Sequence, residues 1–340
     1  MTHDILPAHA PLAVATRGDT VESVHYGSIA VVDTAGELLH AVGDPQALTF
    51  CRSACKPFQA VPLVAAGGLE RFALSEAETA LLCASHSGEP CHVQAAFSIL
   101  HKAGCREDQL QCGSHPPLGY EVSGRRPYPG EVFTPIQHNC SGKHAGMLAA
   151  CRLFGAPIDS YLDFEHPLQL AIRRAVAHYC GVAEAQLRLG VDGCSAPNFA
   201  APLRNLARAF ARLAEARDDP EYGAAHRRLY AAMVRHPEMV SGTGRSDLAI
   251  MQAGGGDWVA KIGAEAVQCI GIRSRGLGIA IKISDGASRA LYPVIVELLR
   301  QLGLLATDVA RRLLAPYARP PLKNWRGTQV GEIRPVFRLE

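Results

Sequence analysis

Long hydrophobic runs and a strong net charge are both missing from this sequence. Charged residues make up only 19% of the 340 positions, and the formal net charge is +2. A near-neutral chain is a poor partner for nucleic acid, and the arginines between positions 204 and 228 lie among alanines and acids, as on solvated helix faces. No apolar run reaches membrane-spanning length, and the first residues lack the pattern of a signal peptide. We therefore expect a globular protein of the cytoplasm that binds neither nucleic acid nor membrane.

The sequence also lacks Cys-x-x-Cys and His-x-x-x-His pairs, which are the spacings that usually indicate a zinc site. Cysteine itself is abundant, and because the 11 cysteines are an odd number, an oxidising compartment would leave at least one unpaired. We expect most of them to be reduced thiols, with Cys83, Cys151 and Cys180 packed as small core residues. From spacing alone, Cys140 and Cys194 are better explained as structural thiols than as metal ligands.

Repeats, low-complexity tracts and linkers are absent as well, so we expect residues 1–340 to form a single domain. Alternating apolar residues predict strands at 21–26, 27–33, 37–42, 258–263, 266–272, 278–284 and 330–337. Helical periodicity predicts helices at 53–66, 75–84, 90–103, 141–154, 167–180, 200–214, 221–235 and 287–302. The predicted fold class is therefore α+β: one antiparallel sheet built from both chain ends, with a mainly helical portion at about 53–256 inserted between them.

The first candidate for chemistry is the segment Ser53-Ala54-Cys55-Lys56-Pro57. Positions i and i+3 share a helix face, so the serine hydroxyl and the lysine amine can meet, and a neutral lysine can take the serine proton. Pro57 is tolerated only in a first helical turn, which puts Ser53 near the positive end of the helix dipole. Taken alone, this spacing is common, and an exposed helix start explains it better.

Four more polar clusters stand out, at 83–90, 138–146, 190–198 and 260–263. Each has an ordinary structural explanation. Ser87 or Glu89 can cap the following helix, histidines 86, 138 and 144 can hydrogen-bond within loops, and Lys261 can point from a sheet edge into water. None of these clusters is decisive by itself.

Taken together, the motifs have the order of the three signatures of the serine β-lactamase-like enzymes: a Ser-x-x-Lys, a serine-rich loop and a late Lys-x-Gly. More specifically, the chain resembles the rhizobial-type L-asparaginases over nearly its whole length. The motifs that carry the resemblance are Arg52-Ser53-x-x-Lys56-Pro57, Cys83-Ala84-Ser85-His86-Ser87-Gly88-Glu89, His138-Asn139-Cys140-Ser141-Gly142-Lys143-His144, Asp192-Gly193-Cys194, Val240-Ser241-Gly242-Thr243-Gly244-Arg245, the stretch 261–267 and Asn324-x-x-Gly327-x-x-Val330-Gly331.

The resemblance implies a serine β-lactamase/penicillin-binding-protein-like fold, a homodimer and hydrolysis of L-asparagine to L-aspartate and ammonia. It implies two catalytic pairs, Ser53 with Lys56 and Ser85 with Lys261. We interpret Ser53 as the nucleophile that forms an acyl-enzyme and Lys56 as the acceptor of its proton. Ser85 and Lys261 then relay a proton to the departing ammonia. Each lysine disfavours charge on the other, so one can be neutral near pH 7.

The same resemblance implies a zinc ion that assists substrate binding. Its ligands would be Cys140, Lys143 and Cys194, with water completing the site. Arg52 is the candidate for the substrate α-carboxylate. His144 and Asp192 are candidates for contacting the substrate or supporting the metal.

Several other functions remain open at this stage. The same fold could act on glutamine, a β-lactam or a small ester. Ile262 stands where the wider superfamily has a hydroxyl residue, and this makes a β-lactam the weaker alternative, whereas one extra methylene makes glutamine hard to exclude. A non-catalytic zinc- or amino-acid-binding protein is less favoured, because all four serine and lysine residues are present.

Overall fold

The computed structural model describes residues 6–339 and has an α+β architecture built around a curled antiparallel sheet. The strands are β1 Ala10–Arg17, β2 Thr20–Asp33, β3 Leu38–Val42, β4 Leu48–Phe50, β5 Arg188–Val191, β6 Pro197–Pro202, β7 Trp258–Gly263, β8 Val267–Ile272, β9 Leu277–Ile283, β10 Pro321–Lys323 and β11 Gln329–Pro335. The helices are α1 Lys56–Ala65, α2 Gly68–Arg71, α3 Glu76–Leu82, α4 Pro90–Lys102, α5 Gly119–Val122, α6 Ser141–Phe154, α7 Pro167–Cys180, α8 Leu203–Glu215, α9 Ala225–Arg235, α10 Pro237–Val240, α11 Ser246–Ala253, α12 Ser288–Gln301 and α13 Asp308–Ala318. Short 3₁₀ turns lie at Arg52–Cys55, Glu107–Gln109, Pro135–Gln137, Glu184–Gln186 and Arg273–Arg275.

The main sheet combines strands from both ends of the chain, as the sequence predicts. Its order is β10-β11-β1-β2-β9-β8-β7, and β3 pairs with β2 at the side. All of these pairs are antiparallel. The two short strands predicted at 21–26 and 27–33 are one continuous strand, and β1 was not predicted. The pairing places β7, the first of the late strands, at the edge of the sheet beside the inserted helices.

A second sheet of three short strands, in the order β4-β6-β5, was missed by the sequence prediction. It also explains one error in the helix boundaries: residues 200–202 were predicted as helix but belong to β6, so α8 begins at Leu203. The helix predicted at 221–235 likewise begins later, at Ala225. Strand β6 pairs with the neighbouring β5 on one side, but on the other side it pairs with β4, which lies about 150 residues earlier in the chain, as at Thr49 and Ala201. Such pairing leaves no local signature in the sequence.

The bounds of several helices were predicted well. Helices α6 and α7 have the predicted bounds, and Ser75 caps α3 with a complete capping box. In that box the Glu78 N–H donates to Ser75 Oγ at 3.2 Å, and the Ser75 N–H donates to Glu78 Oε2 at 2.6 Å. Local hydrogen bonds of this kind are determined by residues three apart, so the sequence shows them directly.

Close backbone contacts seat α8 on the sheet. A Cβ added to Gly278 would lie 1.9 Å from the Ala207 carbonyl oxygen, and one added to Gly271 would lie 2.3 Å from the Phe210 carbonyl oxygen. At the site end, a Cβ on Gly263 of β7 would lie 2.7 Å from the Cys51 carbonyl oxygen. The absence of a side chain at Gly263 therefore lets β7 approach the turn that carries Ser53.

All eleven cysteines are free thiols, and all but Cys91 are buried. Cys83, Cys151 and Cys180 are core residues, as predicted. Among residues 6–339, no helix is both long enough and apolar enough to span a bilayer.

Candidate active site

Ser53 lies in a strained turn at the entrance to α1. The α-helix itself begins at Lys56, and the preceding residues Arg52–Cys55 form a 3₁₀ turn rather than the start of the helix. Arg52 has a φ of 49°, the left-handed region that residues with a side chain rarely adopt. Its N–H donates to Asn198 Oδ1 at 3.1 Å, and its Nε donates to Asp192 Oδ1 at 2.8 Å. These two contacts hold the turn that places Ser53 in a cleft.

That cleft has a volume of about 540 Å³ and contains both candidate serines. It is lined by Ser53, Ser85, Leu118, Glu121, Val122, Asn139, Gly244, Arg245, Ser246, Ile262, Gly263, Ala264, Ser288, Tyr292 and Tyr317. The lining comes from the turn before α1, the loop after α3, strand β7 and the starts of α11 and α12. Elements far apart in the chain therefore build one accessible site.

Lys56 lies beneath this cleft and contacts Ser85. The lysine is only 1% exposed. Its Nζ donates to Ser85 Oγ at 2.8 Å and to the Ala84 carbonyl oxygen at 2.5 Å. The sequence paired Lys56 with Ser53, but among residues 6–339 no hydrogen bond joins these two side chains. The hydroxyl that the lysine reaches in this structure is that of Ser85.

Lys261 is a buried lysine on β7, not the solvated edge residue that its position in the sequence also allowed. It is 0% exposed, and its Nζ donates to the Ile262 carbonyl oxygen at 2.8 Å. Burial lowers the pKa of Lys261 to about 7. Asp247 opposes this shift, with its Oδ2 at 3.6 Å from Nζ, whereas the charge of Lys56 adds to it. Burial outweighs the single carboxylate, so the neutral amine is accessible near pH 7.

Asp247 is a site residue that the sequence analysis did not identify. It is 0% exposed at the start of α11. Its carboxylate accepts hydrogen bonds from the Ile262 N–H at 2.9 Å and from Gln268 Nε2 at 3.0 Å. The only sequence signal was its position two residues after the Val240–Arg245 motif. The carboxylate anchors β7 to α11 and controls the charge of Lys261.

The predicted metal ligands come together behind the cleft. Lys143 Nζ lies 2.8 Å from Cys194 Sγ. A hydrogen bond from Cys194 holds the pKa of Cys140 well below its usual range, and the charges of Lys56 and Lys143 contribute although burial opposes. The two sulfurs in turn raise the pKa of Lys143 against the effect of its burial. Cys140 Sγ donates to Asn139 Oδ1 at 2.9 Å. Two sulfurs and one amine are a donor set that suits zinc, provided that the amine loses its proton.

His144 lies on the far side of that cluster and does not line the cleft. It is 0% exposed, its Nδ1 is 2.7 Å from the Tyr161 hydroxyl, and its Nε2 has no partner among the described residues. The Tyr161 oxygen also accepts from the Gln111 N–H at 2.9 Å, so the tyrosine proton is free to go to Nδ1. The proton of His144 then sits on Nε2, and burial lowers the pKa of this imidazole to about 4. In that tautomer neither ring nitrogen of His144 is free to ligate a metal, because Nδ1 faces the Tyr161 hydroxyl and Nε2 carries the proton.

Arg52 and Asp192, the other residues assigned to substrate binding, are engaged with each other. Their ion pair is 2.8 Å long, with side chains 24% and 13% exposed. Hydrogen bonding from Arg52 lowers the pKa of Asp192 against the effect of its burial. The observed role of this pair is to hold the Ser53 turn against the loop that carries Cys194.

The geometry defines a class of enzyme. An accessible serine, a second serine bonded to a buried lysine, and another lysine with a lowered pKa are suited to nucleophilic attack on a carbonyl carbon. The family model for L-asparaginase II matches residues 13–335, nearly the whole chain. The chain therefore belongs to the L-asparaginase II family and is a hydrolase that acts on amides. No individual curated protein matches it.

Proposed function

We propose that this protein hydrolyses the side-chain amide of L-asparagine to L-aspartate and ammonia by a serine and lysine mechanism. The observation that carries the proposal is the 2.8 Å hydrogen bond from Lys56 Nζ to Ser85 Oγ, made at the base of the cleft that Ser53 also lines. Membership of the L-asparaginase II family supports the amide substrate. The sheet order and the motif order support a serine β-lactamase-like fold in a single domain, which remains part of this proposal.

In the first half of the reaction, Ser53 Oγ attacks the amide carbon. Its proton passes to Lys56, either directly or through Ser85, which lies between the lysine and the cleft. The C–N bond then breaks, leaving an ester between Ser53 and the aspartyl group. The proton taken from Ser53 is relayed through Ser85 and Lys261, whose amine is neutral at the start, to the leaving nitrogen, which departs as ammonia. A lysine whose pKa is near 7 exchanges protons readily in both directions at neutral pH.

In the second half, water attacks the ester. The C–O bond to Ser53 breaks, the hydroxyl recovers its proton from the lysine system and L-aspartate leaves. The strained turn at Arg52 keeps Ser53 in one position through both halves, because Asn198 holds the backbone N–H of Arg52 and Asp192 holds its guanidinium group.

We also propose that Cys140, Lys143 and Cys194 hold a zinc ion. When bound, such an ion would supply a positive charge beside the cleft that helps to orient an anionic substrate. His144 and Tyr161 would then fix the orientation of the ligand cluster. The family resemblance supports a homodimer, and eleven free thiols support a reducing compartment such as the cytoplasm.

Loss of one sulfur ligand is expected to remove the zinc. Metal analysis of purified wild-type protein should give about one zinc per chain, and Cys194→Ser should retain less than about a tenth of it, since metal affinity depends steeply on each thiolate. Cys91→Ser is the matched control, because Cys91 is exposed and belongs to a separate group with Glu89 and His92. Zinc that is lost from Cys91→Ser but kept by Cys194→Ser would contradict the assignment and place the metal in that other group.

The direct test of the function is ammonia release from L-asparagine, L-glutamine and a chromogenic β-lactam. We expect turnover of L-asparagine, with at least about tenfold lower kcat/KM for L-glutamine, because a pocket discriminates one methylene by about 1–3 kcal/mol. Ammonia from neither amide, with zinc added or withheld, would overturn the proposal. Faster turnover of L-glutamine would instead assign the site to a glutaminase.

A further inference from the structure

The catalytic cleft contains an unusual pair of charged residues. Of its lining residues, only Glu121 and Arg245 carry a charge, one of each sign. Neither side chain forms an ion pair or a side-chain hydrogen bond with another residue in 6–339. Arg245 is half-buried, and a guanidinium in such a position without a carboxylate partner is energetically unfavourable. Arg245 therefore lacks a carboxylate partner that a substrate could supply, and the exposed Glu121 lines the same cleft.

We propose that Arg245 binds the α-carboxylate of the substrate and Glu121 binds its α-ammonium group, so that the cleft recognises free α-amino acids. This inference rests on the proposed function and deepens it. It explains how an amidase with two serines in an open cleft selects an amino-acid amide over a peptide or a simple amide. Bidentate pairing makes arginine well suited to a carboxylate.

The position of Arg245 is fixed by the loop before it. Glu89 Oε1 accepts from the Thr243 N–H at 2.7 Å, and Glu89 Oε2 accepts from Thr243 Oγ1 at 3.3 Å. Ser87 Oγ donates to the Ser241 carbonyl oxygen at 2.9 Å. The serine-rich loop that provides Ser85 therefore also holds the loop that provides Arg245.

Gly242 makes this fit possible. Its φ is 112°, and a Cβ at this position would lie 2.7 Å from Ser87 Oγ and 2.8 Å from Glu89 Oε1. The loop cannot accept a side chain here without moving away from Ser87 and Glu89. Glu89 and Ser87 are thus positioning residues, which act on substrate only through Arg245.

Tyr292 shows that the two charges act on the same part of the cleft. Burial raises the pKa of the Tyr292 hydroxyl; the positive charge of Arg245 opposes that increase, and the negative charges of Asp247 and, to a smaller extent, Glu121 add to it. Tyr317 lies against Tyr292, with ring centroids 5.5 Å apart, and also lines the cleft. The two charges are separated by more than ion-pair distance, which leaves room for a zwitterion between them.

This assignment differs from the one based on sequence, in which Arg52 binds the α-carboxylate. Arg52 already donates Nε to Asp192 at 2.8 Å, whereas Arg245 has no carboxylate in contact. Asp247, the nearest carboxylate along the chain to Arg245, is occupied by β7 and Gln268. Arg245 is therefore the cation of the cleft that is available to a substrate.

The test is to remove the charges one at a time from both the protein and the substrate. Wild type, Arg245→Gln and Glu121→Gln are assayed by ammonia release on three substrates: L-asparagine, L-asparagine α-amide, which lacks the carboxylate charge, and N-acetyl-L-asparagine, which lacks the ammonium charge. The α-amide substrate has two amide groups that could release ammonia. Chromatographic identification of the product shows whether the side-chain amide or the α-amide was hydrolysed.

Arg245→Gln is expected to lower kcat/KM for L-asparagine about 10- to 100-fold, mainly through KM, because a hydrogen bond to a charged group contributes about this factor. On the α-amide its effect should be less than about threefold. Glu121→Gln should likewise lower kcat/KM strongly for L-asparagine and change it little for the N-acetyl substrate. Arg126→Gln and Glu165→Gln are matched controls on exposed residues outside the cleft and should match wild type.

Equal losses on L-asparagine and on its α-amide would overturn the role of Arg245, and the corresponding result on the N-acetyl substrate would overturn that of Glu121. Either result, obtained with wild type active on L-asparagine, leaves the proposed function intact. Wild type inactive on all three substrates would overturn both. Glu89→Gln provides a second check, since it should raise KM for L-asparagine while it leaves the α-amide almost unaffected.

Discussion

Ser53→Ala is expected to abolish ammonia release from L-asparagine, with a loss in kcat of about 10⁴-fold or more, because removing a nucleophile that acts as part of a unit eliminates most of the chemical rate enhancement. The fold should not change. The Ser53 side chain is partly exposed and forms no hydrogen bond within residues 6–339, so its loss removes little stability. The measurement is kcat beside the thermal unfolding midpoint of the same preparation.

The two serines are distinguished by a covalent intermediate. Ser85→Ala should also be slow, because Lys56 loses the hydroxyl at 2.8 Å, but an acyl group should still form on Ser53 and be found there by peptide mass mapping after an acid quench. Ser160→Ala, a half-buried serine outside the cleft, serves as the control and should match wild type. An acyl group on Ser85 in wild type, with Ser53→Ala retaining turnover, would contradict the proposed nucleophile and transfer that role to the residue that Lys56 contacts.

The pH dependence of kcat is expected to show an acid limb with a midpoint near pH 7. The pKa of Lys261 lies at about 7, chiefly because of burial, and the neutral amine is the form that accepts a proton. The neutral fraction grows as pH rises, so kcat should increase through pH 7 to a plateau and fall about tenfold for each pH unit below the midpoint. The measurement is a kcat profile from pH 5 to 9 at saturating L-asparagine.

Asp247→Asn provides the directional check on this assignment. The carboxylate of Asp247 raises the pKa of Lys261, so its removal should lower that pKa further and move the acid limb to lower pH. Zinc loss at low pH would produce a similar limb, so the profile is recorded with and without added zinc. A flat profile, or a limb that Asp247→Asn moves to higher pH, would contradict the role given to Lys261.

The sequence led us to propose four serine and lysine positions, but it did not determine which of these side chains contact one another. The structure joins Lys56 to Ser85, 29 residues away in the chain, whereas the i+3 spacing suggested Ser53. Residues three apart share a face only on a regular α-helix. Because Arg52–Cys55 form a 3₁₀ turn with a strained Arg52, the side chains of Ser53 and Lys56 do not meet in that way. The buried state of Lys261 was also not visible, since period-2 alternation does not indicate which face of an edge strand is covered.

What the sequence determined by itself is what neighbouring residues control: the bounds of α6 and α7, the capping box of α3, the late strands β7 to β9 and the motifs that indicate the family. Only the tertiary structure decided which distant residues meet. The pairing of β4 with β6, the bond from Lys56 to Ser85, the carboxylate of Asp247 beside Lys261 and the charges of Glu121 and Arg245 in one cleft all join residues on different secondary-structure elements. The physical reason is that capping and periodicity act over three or four residues, whereas these contacts depend on how strands from both chain ends close around the helices.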